Sequence, residues 1–152
     1  MIRRVAPLAL MLAFAAGPAP AEDAGPKTVT KIELGAADLT PLAAFPGVSN
    51  AFLIGEFAEA GLYAAEGEMA AGSAFPPHTH PDARLTIVLS GTMYLGEGET
   101  ADPGRLVAYP AGTAAITPAG AAHYMAALDG DVRVLEIGAG PSGLTLIERS
   151  AD

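Results

Sequence analysis

The chain has 152 residues, 51% of them hydrophobic and 16% charged, which is enough apolar material for one domain with its own core and too much for a disordered chain. Its 17 acidic residues against 8 basic ones argue against nucleic acid and anionic membrane as partners. Without cysteine there can be no disulfide, thiolate ligand or lipid-modified cysteine, so stability must come from packing.

Residues 1–21 read as a secretory signal peptide. Arg3 and Arg4 form a basic start, Val5 to Ala16 an apolar run, and Ala19-Pro20-Ala21 a small-residue cleavage site ahead of Glu22. A membrane span needs about 20 apolar residues, and Pro18 and Pro20 cut this run short. The expectation is export to the periplasm or outside the cell. Removing residues 1–21, which hold Arg3, Arg4 and no acid, takes the formal net charge from −9 to −11. Residues 22–31, with Gly25-Pro26, read as a loose leader, and residues 32–152 as a single domain.

From Thr28 onward, short apolar stretches alternate with turns, and most of the 13 prolines and 18 glycines fall between them. Strands are expected at Ala51–Ile54, Gly61–Met69, Leu85–Leu89, Thr92–Leu95, Arg105–Tyr109, Ala114–Thr117, His123–Ala127, Val132–Ile137 and Leu144–Ile147. With no sustained helical stripe, the predicted fold class is all-β, a sandwich or barrel. Gly96–Gly104 reads as an acidic, exposed hairpin loop. The apolar segment Leu42–Ile54 is long for the surface of a monomer and predicts a homodimer.

The three histidines carry the chemistry. On a strand, residues two apart face the same way, so His78 and His80 would present both imidazoles to one ion. Pro76-Pro77 would stiffen the start of that strand. His123, at the start of a later strand, could be brought close by a neighbouring or facing strand. Three imidazoles suit zinc, iron, copper or nickel and leave positions open for water or substrate. On spacing alone, each could instead be a surface or satisfied core histidine.

The wider spacing reads Gly72-x5-His78-x-His80-x3-Arg84-x6-Gly91, then Gly112-x5-Pro118-x-Gly120-x2-His123-x3-Ala127. Both motifs resemble those of the cupin family, and the phrases PPHTHPDARLTIVLSG and ITPAGAAHYM look like its small bacterial conserved-barrel members. The resemblance implies a double-stranded β-helix, or jelly roll, with one divalent ion (iron, zinc, manganese, nickel or copper) inside the barrel on His78, His80 and His123. It also implies pairing of barrels through their outer strands. Family members usually carry Glu where this chain has Arg84, and often Asn where it has Ala127. Loss of the carboxylate leaves the site more positive and turns it toward nitrogen-loving metals; some cupins that oxidise thiols or diketones manage with three histidines.

Two functions follow as expectations. One is a metal-dependent enzyme of dioxygenase, isomerase or lyase type on a small molecule. The other is a non-catalytic module that binds or senses a metal or small ligand. Arg84 would face the barrel interior, either in an ion pair with Asp82 or Glu68, or gripping the carboxylate of an anionic substrate; solvent at the rim is the third option. Met125 and, more weakly, Tyr94 are further substrate-binding candidates, whereas Tyr124 should point away from His123. Met69 and Met93 read as core. No second catalytic acid or base is visible. Gly138-x-Gly140-x-x-Gly143 matches a dinucleotide fingerprint as a string, but Pro141 and the few residues after it leave no room for the helix that fingerprint needs, so it reads as a turn.

Overall fold

The structure, a computed structural model, describes residues 28–148; the expected signal peptide and most of the leader lie outside them. Eleven strands and one short 3-10 turn make up the regular structure of the described residues; the strands are β1 Thr40–Pro41, β2 Val48–Ile54, β3 Gly61–Met69, β4 Ala74–Thr79, β5 Arg84–Ser90, β6 Thr92–Glu97, β7 Val107–Pro110, β8 Ala114–Thr117, β9 His123–Ala126, β10 Val132–Gly140 and β11 Thr145–Leu146. They form a six-stranded sheet in the order β1-β2-β3-β10-β5-β8 and a five-stranded sheet in the order β11-β4-β9-β6-β7. All pairings are antiparallel. This is the expected jelly-roll barrel.

The chain repeatedly crosses from one sheet to the other, and turn chemistry makes that possible. Between β5 and β6, Gly91 has φ 74°, and a Cβ there would lie 2.2 Å from the Asp131 carbonyl oxygen. Only glycine fits that corner. Strand alternation then sorts side chains between the barrel and its outside. Val88, Met93, Leu95, Met125, Val132 and Val134 point inward and build the core with Val48 and Met69.

The expected strands are all present, with Gly61–Met69 and Ala114–Thr117 at the observed bounds. Arg105 belongs instead to a 3-10 turn at Pro103–Arg105, capped by the Asp102 side chain accepting from the Gly104 N–H. β1 falls outside the expected set, and β4 is the strand expected around His78 and His80. In β4 the prolines lie inside the strand and not at its start. Its pairing with β9 shifts register between Phe75 and His78, where Pro76 and Pro77 have no N–H to offer a ladder. The shift lets Phe75 and His78, an odd number of residues apart, both reach the interior.

The segment Leu42–Ile54 is less of a surface than its composition suggests. Val48 belongs to the core, Leu42 and Phe45 pack against it, and among its larger side chains Phe52 is 39% exposed. On the outer face of the six-stranded sheet, Glu66 is fully buried. It accepts from the Gly35 N–H at 2.6 Å, while Arg133 donates to the Gly35 carbonyl at 2.6 Å and sets its Nε 3.4 Å from Glu66. This clasp straps the start of the described chain across β3 and β10.

Candidate metal centre

His78 stands in β4, His80 one residue past its end, and His123 opens β9 beside them, paired directly with His78. All three are buried, with relative exposures of 1%, 5% and 4%. One ring nitrogen from each lies within 4.8 Å of the other two. The structure therefore brings together the three residues that the sequence singled out.

Their orientation is fixed by backbone carbonyls. His78 Nδ1 is 2.8 Å from Pro76 O, His80 Nδ1 is 2.6 Å from Gly143 O, and His123 Nδ1 is 3.0 Å from Ala121 O. A carbonyl oxygen only accepts, so each Nδ1 must carry the proton and each Nε2 presents a lone pair. Burial drives the imidazoles toward the neutral form, holding His78 at about 4 and His80 at about 3, and lowering His123 as well. Two Nε2 lone pairs, those of His78 and His80, then face each other across 3.1 Å. Such a pair repels unless a cation lies between its members, and neutral imidazoles with pinned Nδ1–H groups are what a divalent metal binds. The donor set fits a metal.

A cavity of about 380 Å³ opens beside His78 and His80. Phe45, Phe52, Phe57, Met93, Met125 and Leu144 are among its apolar lining, and Arg84 and Glu136 are among its charged lining. His123 borders a smaller pocket of about 170 Å³ on its other side, with Glu97, Tyr109 and Pro118.

Arg84 does face the interior, 4% exposed, but from the sheet opposite the histidine strand. β4 ends at Thr79, and Arg84 starts β5 in the opposite sheet. Two of its three guanidinium nitrogens are already matched, while the buried Nε has no partner. NH2 donates to Asp82 at 2.9 Å and to Ser142 at 2.7 Å, and NH1 donates to Glu136 at 3.3 Å. The Ser142 and Tyr63 hydroxyls also donate to Asp82. Burial raises the Asp82 carboxyl, but the Ser142, Tyr63 and Arg84 donors outweigh it and hold the group below its usual range. Of the two expected partners, Asp82 is present and Glu68 is not. Glu68 turns to Arg133 on the outer face, at 3.9 Å. With two carboxylates on it, Arg84 is a structural ion pair before it is a grip for an anionic substrate.

Met125 lines the cavity, and so does Met93. Tyr94 does not. Met93 and Leu95 take the inward positions of β6, so Tyr94 points out and donates to Asp129. Tyr124 likewise faces away from His123 and donates to the Asp102 carbonyl at 2.9 Å. Glu136 was missed. Its signal was a lone charge in step with Val132 and Val134 on a strand whose inward face is otherwise apolar. The glycine string after it is no phosphate loop: Gly138 makes room for Tyr63 and Asp82, and Gly143 supplies the carbonyl that orients His80.

Fold and site together define a jelly-roll protein with a buried three-histidine, metal-type centre at a mostly apolar cavity. Residues 65–138 match the family described as Cupin domain, and the chain belongs to the cupin family. No curated protein matches it by sequence. Among solved structures it is similar to the polyketide cyclase RemF from Streptomyces resistomycificus, at 19% identity and TM-score 0.66 over 82% of this chain and 89% of that one. KdgF from Halomonas sp. is similar at 19% identity and TM-score 0.55 over 68% and 87%. The DMSP lyase DddQ from Ruegeria pomeroyi DSS-3 is similar at 23% identity and TM-score 0.60 over 75% of this chain, which spans 59% of that one. At these identities the likeness is one of fold.

Two predictions follow from this geometry. In metal-stripped protein, the imidazoles stay neutral when folded but take protons near pH 6.5 when unfolded. Stability is therefore full above about pH 6.5 and falls as pH drops toward the folded values, about 4 for His78 and about 3 for His80. The lowered Asp82 adds to this trend, and Glu136, raised by burial, opposes it with a single group. The melting temperature should drop steadily from pH 7 to pH 4; a flat profile would contradict buried neutral imidazoles. Secondly, Arg84→Ala leaves Asp82 and Glu136 without their cation and should cost roughly 3–5 kcal/mol by denaturant unfolding, with the three histidines still able to bind metal. Unchanged stability would mean that the ion pair is not formed.

Proposed function

We propose that this protein is a metal-dependent enzyme acting on a small molecule held in the 380 Å³ cavity. The observation that carries this reading is the convergence of three carbonyl-pinned imidazoles, two of which, His78 and His80, line that cavity. His78, His80 and His123 would hold the ion. Structural metal sites close their coordination with four protein ligands, whereas three leave room for a ligand. That difference favours catalysis over a plain binding module. A divalent ion bound there supplies Lewis-acid polarisation of a chelating oxygen.

The chain's own residues do the rest. The apolar wall takes the body of the substrate and excludes water, which strengthens every charge interaction within. Arg84, already paired twice, would receive a substrate carboxylate only by displacing Asp82 or Glu136, so the wall favours an uncharged body over an anionic one. Dioxygenase, isomerase and lyase chemistries all fit a ligand chelated in this way. Enzymes are among the proteins of similar fold, such as the cyclase and the lyase named above. Export, read from residues 1–21, and homodimer assembly, which would cover the exposed Leu62 and Ile116 of the six-stranded sheet, complete the proposal.

Elemental analysis of protein isolated from its native compartment tests it. We expect about one divalent ion per chain, matching one three-ligand site, and a sharp loss of that ion in each of His78→Ala, His80→Ala and His123→Ala, with the β-sheet circular dichroism preserved. Full metal retention by all three variants would end the proposal.

A further inference from the structure

We propose that Glu136 accepts the proton that a weakly acidic hydroxyl, an enol or a phenol, gives up when its bearer binds at the three-histidine centre. The inference rests on the metal-dependent reading above and narrows its substrate to an apolar molecule with such a hydroxyl.

Position comes first. Glu136 sits midway along β10, between Ala65 of β3 and Thr86 of β5, and lines the same cavity as His78 and His80. Arg84 holds only one of its oxygens, Oε2, at 3.3 Å. Among the described residues nothing donates to Oε1. Arg84 is anchored independently by Asp82 and Ser142, so it orients the Glu136 carboxylate without depending on it.

Elimination comes second, taking each titratable or charged group around the cavity and next to Glu136. The histidines have Nδ1–H committed to carbonyls and Nε2 committed to the centre, so none can take a proton while a metal is held. Arg84 has no acceptor atom. On β3, Tyr63 donates its hydroxyl to Asp82 at 2.5 Å, and burial pushes that hydroxyl above its ordinary range. Asp82 already accepts from Ser142, Tyr63 and Arg84 and is held low. Glu68 also borders the cavity, but its carboxylate turns toward Arg133, 3.9 Å away, and is 43% exposed, so water competes for its protons. Of the two cavity-lining carboxylates, Glu136 is the more buried, 18% exposed against 43% for Glu68, and it keeps a free oxygen. Its carboxyl is also moved the useful way: burial raises it, and Arg84 only partly opposes that.

The step is a proton transfer and needs no oxidant. The O–H bond of the ligand breaks, the electron pair stays on the ligand oxygen, and the proton moves to Glu136 Oε1. The apolar wall, with Phe45, Phe52, Phe57 and Phe75, suits a ring or chain beside that oxygen.

The test uses the zinc-loaded full chain and catechol, a chelating phenol that is neutral at pH 7, titrated calorimetrically at that pH in two buffers of different protonation enthalpy. Wild-type protein should release fewer protons to the buffer than Glu136→Gln, by about one per bound ligand, and the variant should bind about tenfold more weakly. Infrared difference spectra of the wild type alone should show a carboxylic-acid band appearing on binding, so the question stays decidable if the variant fails to fold. Equal proton release, or no new carboxylic-acid band in the wild type, would overturn the role of Glu136 while leaving the metal reading intact. No binding by the zinc-loaded wild type would overturn both.

Discussion

Three imidazole lone pairs aimed at one buried point repel each other, and much of this barrel serves to keep them aimed. The His78 and His80 Nε2 atoms stand 3.1 Å apart because Pro76 O and Gly143 O hold the opposite sides of the rings. Those carbonyls come from local backbone that the sequence shapes for the purpose. Pro76 sits in the irregular stretch of β4, and Gly143 follows the turn that ends β10. A cation relieves the repulsion, which links the geometry of apparently structural residues to metal affinity. Without that constraint the histidines would be three buried polar groups with no reason to share a place.

A second constraint is charge balance inside an apolar shell. Arg84 cannot lose its proton, and a buried guanidinium needs partners. Asp82, Glu136 and Ser142 supply them, and the Phe57 and Tyr63 rings lie 5.4 and 5.6 Å from the guanidinium carbon. Where a resembling cupin has Glu, this chain has Arg84, and a carboxylate reaches the cavity from β10 instead. Arg84 draws Glu136 into a pair, and Glu136 takes no part in the cluster of histidine nitrogens. The result is a neutral set of three imidazoles that could hold a metal, with a separate carboxylate beside it.

Much of this was legible in the residues. Alternating apolar stretches between glycines and prolines give the strands, and two histidine motifs give both barrel and centre. Arg84 was legible as inward-facing, but not the sheet it comes from, because the chain changes sheets between His80 and Arg84. Its partners were only half legible: Asp82 is two residues away, but Glu136 is 52 away and meets it only through the pairing of β10 with β5. Tyr94 was misplaced because an aromatic near the site carries no sign of which face it takes, until Met93 and Leu95 are seen to hold the inward positions. β5 held an unused clue: Arg84 and Thr86 face inward while Leu85, Ile87 and Leu89 face out, the reverse of ordinary core patterning, as suits a strand that lines a site.

The central claim is that three Nε2 atoms, each on an imidazole whose Nδ1–H is held by the backbone, bind one ion. Pulsed electron paramagnetic resonance of the copper(II)-loaded, 15N-histidine-labelled protein addresses it directly, because the remote ring nitrogen of each bound imidazole gives its own modulation. The account predicts three coordinated imidazoles, all through Nε2, with all three protonated Nδ1 atoms as the remote nuclei. A spectrum with one imidazole or none, or with coordination through Nδ1, would contradict it.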